Sequence, residues 1–136
     1  MILIDTSVWS LGLRRRRRDL NPVEVRAYYA WETLLNRGEA SIIGPVRQEV
    51  LSGISSRPKF DALASRLALI DDLHLPRDAF IRAAEFYNIC KSHGITPETV
   101  DMTICAAADL HGTPIFTTDP DFPQYAQHLP ISLFRF

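Results

Sequence analysis

The run Met1-Ile-Leu-Ile-Asp5, four apolar residues closed by an acid, constrains the fold most. An apolar stretch this short, without polar alternation, reads as a strand buried on both faces. Such strands belong to parallel sheets covered by helices. Residues 40–43, 69–75, 114–117 and 131–136 also read as strands, and between them lie helical patterns with their own start and stop signals. Thr6 and Ser7 can cap a helix carrying Val8, Trp9 and Leu13. Asn21-Pro22-Val23-Glu24 has a capping side chain, a proline at the first helical position and an acid at the third, and the helix it opens stops near Gly38. Pro45 opens a third helix through Glu49 and Val50, residues 58–67 form a fourth, and residues 76–92 a long fifth that ends at Gly94. Thr96-Pro97-Glu98 starts a last helix running to Gly112. Strands alternating with helices over short linkers predict an α/β fold with a parallel sheet in one domain.

Several classes fall away. With 46% apolar and 23% charged residues, the chain can bury a core, which argues against disorder and coiled coil. No segment approaches the roughly 18 uninterrupted apolar residues of a membrane span. The early Asp5 does not fit a secretory signal. Cys90 and Cys105 show no metal-binding or redox spacing and read as small hydrophobes, so a reduced, cytoplasmic protein is expected. Trp9, Trp31, Phe80, Phe86 and Tyr87 recur at helical spacing and are expected in packing or dimer contacts. His74, His93, His111 and His128 are scattered and are not expected to be catalytic.

In parallel sheets, ligands bind beyond the carboxyl ends of the strands. Asp5 follows the first strand, and Asp119 follows Ile115-Phe116-Thr117-Thr118. Each also has an ordinary role open to it, as a cap or turn former. Asp101 falls more than one turn inside its expected helix, past the positions where an acid caps or meets the helix dipole. Glu49 lies mid-helix between Val46 and Val50. Two acids at strand ends and two on helices that can line the same edge suggest one cluster. Clustered carboxylates disfavour one another's ionisation unless a cation sits among them. An all-oxygen donor set selects a hard ion, Mg²⁺ or Mn²⁺. Such an ion polarises a phosphodiester and lowers the pKa of bound water, so no side-chain nucleophile is needed.

The segments Ile2-Leu-Ile-Asp-Thr-Ser-Val-Trp9, Pro45-Val-Arg-Gln-Glu-Val-Leu-Ser-Gly53, Asp101-Met-Thr-Ile-Cys-Ala-Ala107 and Phe116-Thr-Thr-Asp-Pro-Asp-Phe122 resemble, in this order, the signature regions of PIN-domain nucleases. They look most like the small VapC-type toxins of toxin–antitoxin pairs. The resemblance implies a single PIN domain over residues 1–136, a three-layer sandwich around a mainly parallel five-stranded sheet. It also implies a metal-dependent endoribonuclease that leaves a 5′-phosphate and blocks translation or growth when free. Asp5, Glu49, Asp101 and Asp119 are its expected catalytic acids. Asp5, Asp101 and Asp119 would hold Mg²⁺, with Mn²⁺ as substitute, and Glu49 would complete the site or orient water. Thr6, Thr118 and Asp121 match supporting positions. The implied partners are RNA, a cognate VapB-type antitoxin and a second copy of the chain, as homodimer or hetero-oligomer, with no membrane.

Other chemistries fit less well. A dehalogenase-type phosphatase needs a second Asp two residues after Asp5, where Ser7 stands. A receiver domain needs a late Lys, and none follows Lys91. No P-loop motif is present. A non-catalytic RNA-binding or scaffold module of the same fold is the alternative.

Charge adds one more expectation. Of 15 basic residues all but Lys59 and Lys91 are arginine, and five are consecutive: Arg14, Arg15, Arg16, Arg17 and Arg18. Arginine presents a planar fork suited to phosphate. With the four acids set aside, a net charge of −1 becomes a formal +3 for the remainder, which suits an RNA partner. Because successive helical residues point in different directions, only a subset of the run is expected to touch RNA or antitoxin.

Overall fold

The computed structural model describes residues 1–136. Four parallel strands, β1 (Ile2–Ile4), β2 (Ala40–Ile42), β3 (Asp71–Asp72) and β4 (Ile115–Phe116), form one sheet in the order β3-β2-β1-β4. Leu3 registers with Ser41 on one side and Ile115 on the other. From β1 the chain steps to β2 and β3, then crosses to the opposite side of β1 for β4. The carboxyl ends of β1 and β4 therefore flank the point where strand order reverses, the place where a parallel sheet opens a crevice.

Helices supply the covering layers: α1 (Thr6–Arg14), α2 (Pro22–Asn36), α3 (Gly44–Leu51), α4 (Arg57–Leu67), α5 (Arg77–Ser92), α6 (Thr99–His111) and α7 (Asp121–Ala126), with a 3₁₀ turn at Arg17–Asp19. α2 begins on the expected capping box: the Glu24 amide donates to Asn21 Oδ1 at 2.8 Å, and the Asn21 amide to Glu24 Oε1 at 3.1 Å. Leu3, Ile4, Ile42, Ile115 and Phe116 are fully buried, as continuous apolar strands between helical layers require. Each such side chain contributes about 1.5–3 kcal/mol by leaving water. α6 packs on α5 and β4 with residues 102–108 buried in succession, and its alanines let neighbours approach from several sides.

Three expectations change. The sheet has four strands, not five: the terminal segment meets β4 at a single bridge, Ile115 to Leu133. β4 is two residues long, which gives a fifth strand almost no edge to pair with, and Pro130 cannot donate to a ladder. The edge strand expected over 69–75 shrinks to Asp71–Asp72, whose exposed acids blunt that edge against further pairing. α6 starts at Thr99 rather than in the Thr96-Pro97-Glu98 motif: Glu98 itself takes the extended cap position, with φ −72° and ψ 143°, so Pro97 stays outside the helix. Asp101 thus lies in the first turn, not past it, and the argument that singled it out as unsuited to an ordinary helix-start role does not hold. Of the aromatics expected in packing or dimer contacts, Trp9, Trp31 and Phe86 are buried in the core, and Phe80 is 51% exposed and free for a contact with another chain.

The α1–α2 contact turns on Gly12. A Cβ there would stand 2.7 Å from the Trp31 ring, closer than real Cβ contacts allow, and Trp31 is itself pinned edge-on to Trp9. Gly12→Ala is therefore expected to destabilise the protein by about 1–3 kcal/mol despite the better helix propensity of alanine. Chemical denaturation checks this: the midpoint should fall with an unchanged slope, and an unchanged midpoint would mean that α2 moves aside at no cost.

Candidate active site

A cavity of about 370 Å³ opens at the strand-order reversal, lined by Asp5, Thr6 and Ser7 after β1, Glu49 from α3, Glu98, Thr99, Val100 and Asp101 at the start of α6, and Asp119 after β4. All four of the acids expected to share one edge line this cavity. The carboxylates of Asp101, Asp119 and Asp121 have oxygens within 4.8 Å of one another, so Asp121, expected in a supporting role, joins Asp101 and Asp119 in the closest group. Asp5 lies in the same cavity but outside that closest group.

The hydroxyls here serve carboxylates rather than helix ends. Asp5 is the residue before α1 but its side chain caps nothing; its backbone carbonyl accepts from the amides of Val8 and Trp9. Ser7 Oγ and Thr117 Oγ1 both donate to Asp5 Oδ2 at 2.8 Å. Each hydroxyl has one proton, so each is left to accept, and does so from a backbone amide: Thr118 N to Ser7 at 3.1 Å, Asp119 N to Thr117 at 3.0 Å. The end of β1 and the turn after β4 are thereby locked around Asp5. Thr6 Oγ1 donates to Glu49 Oε1 at 2.8 Å, which ties α1 to α3. On the far wall the Tyr125 hydroxyl donates to Asp101 Oδ2 at 2.9 Å. Asp119 Oδ1 accepts from the Asp121 amide at 2.9 Å, turning the chain into α7.

Thr118 contributes its amide, while the supporting hydroxyl is that of Thr117. Side chains alternate along an extended segment, so only one of the two can face Asp5. Ser7, Thr117, Tyr125 and Glu98 were not identified from sequence as parts of the site. The signal for Ser7 is its position two residues past an acid; Tyr125, 24 residues from the Asp101 it bonds, has no local signal.

Electrostatics follow from this crowding. Burial pushes the Asp5 carboxyl above its ordinary value, against the opposing hydrogen bonds from the Thr117 and Ser7 hydroxyls. Asp101 is pushed up to about 7, first by burial and then by repulsion from Asp5, Asp119 and Asp121, with the Tyr125 bond pulling the other way. Burial and the bond to Asp101 keep Tyr125 protonated well above the usual phenol range. None of the five ion pairs in the protein involves a cavity acid. An all-carboxylate donor set, convergent and without a protein counter-cation, fits a hard divalent ion.

The arginine run does not form one patch. An Arg14 Nη2 donates to the carbonyls of Val50 and Ser52 at 2.9 and 3.1 Å, Arg15 pairs with Glu24, and Arg17 lies over the Tyr28 ring and pairs with Glu32. Arg16 and Arg18 carry no side-chain contact of this kind. None of the four histidines lines the acidic cavity.

Comparison with known proteins places this geometry. The family model for the PIN domain matches residues 2–127. Ribonuclease VapC18 of Mycobacterium tuberculosis is 28% identical over 127 residues, covering 90% of this chain and 85% of that protein. Two solved complexes share the fold: FitAcB from Neisseria gonorrhoeae, with a TM-score of 0.69, 23% identity and 99% and 97% of the two chains covered, and VapBC2 from Rickettsia felis bound to a DNA fragment from its promoter, with a TM-score of 0.74, 16% identity and 100% and 99% covered.

Proposed function

The chain belongs to the PIN-domain family, and we propose that its acidic cavity is the active site of a metal-dependent endoribonuclease acting as the toxin of a toxin–antitoxin pair. One observation carries the reading: convergent carboxylates at the sheet's reversal point, with no protein cation among them. The relative named as a ribonuclease, and the likeness in fold to a toxin–antitoxin complex from Klebsiella pneumoniae (TM-score 0.69, 20% identity, 90% of each chain covered), support it.

Asp5, Asp101 and Asp119 would hold Mg²⁺ or Mn²⁺, with Asp121 close enough to share in it. When bound, the ion supplies charge neutralisation at the scissile phosphodiester and a more acidic water. The protein's own task is positioning. Ser7 and Thr117 fix Asp5 between two backbone segments, and Tyr125 fixes Asp101. Glu49, held by Thr6 on the rim, orients the attacking water and takes up its proton. In-line attack at phosphorus with departure of the 3′ oxygen leaves a 5′-phosphate.

The partners in this reading are RNA, a VapB-type antitoxin that covers the cavity, and a second copy of the chain, in the cytoplasm, with one PIN domain spanning residues 1–136. Expression without an antitoxin tests it. Wild type should arrest growth and generate new 5′-phosphate RNA ends, and Asp5→Asn should do neither. Equal arrest by the two would point to a non-catalytic module of this fold.

A further inference from the structure

We infer that a second cavity, on the α1–α4 side of the molecule, is a phosphate-binding cleft that holds the RNA strand beside the scissile bond. The inference takes its substrate from the ribonuclease reading and adds where the rest of the strand lies. The cavity measures about 450 Å³ and is walled by Arg14, Lys59 and Arg66 over a floor of Leu13, Ile54 and Leu63.

These three cations have no carboxylate partner, as Arg16 and Arg18 have none, but unlike those two they line one cavity together. Arg15, Arg17, Arg47, Arg57 and Arg82 each pair with a carboxylate, but Arg14, Lys59 and Arg66 pair with none. The acid on α4 nearest to them in sequence, Asp61, is engaged by Arg57. One Arg14 nitrogen is anchored on the carbonyls of Val50 and Ser52, which aims the guanidinium without neutralising it and leaves its other N–H groups unbonded. No acid lines the cavity, so it is electropositive at neutral pH. A merely solvated charge patch needs no apolar floor. A strand of RNA uses both features, with phosphates on the cations and a ribose or base face on Leu13, Ile54 and Leu63.

The cleft is also in the right place. Glu49 lines the acidic cavity, Val50 and Ser52 hold Arg14, and Ile54 lines the basic one. Five residues of chain span at most about 18 Å, so the two cavities lie within a few nucleotides of each other. The unequal sharing of the arginine run follows: Arg14 belongs to the cleft, whereas Arg15 and Arg17 belong to the α1–α2 connection.

Binding in EDTA separates this inference from the chemistry. Fluorescence anisotropy with single-stranded RNA of about 12 nucleotides, across a salt series, compares wild type, Lys59→Gln/Arg66→Gln and Arg16→Ser/Arg18→Ser. Lys59 and Arg66 are exposed and without side-chain partners, so the first double variant should fold normally, with melting as the check. Its affinity should fall roughly tenfold and its log–log salt slope should shrink by about 1.4, the value for two phosphate contacts on a single strand. The Arg16/Arg18 variant should bind like wild type. An unchanged slope in Lys59→Gln/Arg66→Gln, an equal loss in both variants, or no wild-type binding at all would overturn the cleft. If RNA binds through the cleft but is not cut with Mn²⁺ present, the ribonuclease reading fails and the cleft stands.

Discussion

Asp101→Asn should lower RNA cleavage roughly 10³-fold, about 4 kcal/mol of transition-state stabilisation, while making the metal-free protein more stable at pH 8 rather than less. Two features of the site require this opposite pair of effects. Asp101 is half-buried beside Asp5, Asp119 and Asp121, and desolvation followed by that repulsion holds its carboxyl up at about 7. A neutral amide relieves both. Its oxygen can still accept from Tyr125, so the wall of the cavity keeps its bond. What the variant loses is a charged oxygen ligand in the carboxylate group. A residue with a purely structural role would lose stability and activity together. Single-turnover cleavage and thermal melting of the same preparation check the split.

In EDTA, the melting temperature of the wild type should fall as pH rises from about 5 to about 8. The sign follows from proton counting. Asp101 has a folded-state value of about 7 against 3.8 for the free side chain, so across that window the folded protein holds more protons than the unfolded chain. Stability then declines with pH, being fully present below the unfolded value and lost as pH climbs through the folded one. Asp5, raised by burial, acts in the same sense. A divalent ion reverses the trend, because it binds the deprotonated cluster. Mn²⁺ at a hundredfold its dissociation constant adds about 2.7 kcal/mol, and the gain should be larger at pH 8 than at pH 5. Asp101→Asn should flatten both dependences. A melting temperature that rises with pH in EDTA and ignores Mn²⁺ would remove the ion from the account.

Acids that directly follow buried strands are the part of the site most legible in the sequence. Asp5 and Asp119 were readable because the apolar runs before them admit few other structures, and the strand-order reversal falls where those two ends meet. The capping box at Asn21 was readable because it is local. Asp101 stands in the first turn of α6, where an acid has an ordinary helix-start role, and its relation to the cluster comes from tertiary geometry that no local pattern shows. Thr117 and Thr118 could not be told apart because the register of the turn after β4 decides which one faces Asp5. Tyr125 reaches Asp101 across 24 residues, and no local pattern encodes such a pair. The arginines show the same limit. Their composition suggested phosphate, but only folding decides which are consumed by Glu24 and Glu32 and which are left beside Lys59 and Arg66. The fifth strand failed for a similar reason, since residues 131–136 have strand composition but find almost no edge to pair with.

The most direct test of the central claim is cleavage of a defined RNA by the purified chain, free of antitoxin, with Mn²⁺, then with excess EDTA, then with Mn²⁺ restored. Cleavage that produces 5′-phosphate ends, stops in EDTA, returns with the ion and is lost in Asp101→Asn is the predicted result. Full activity in excess EDTA, or in Asp101→Asn, would contradict it.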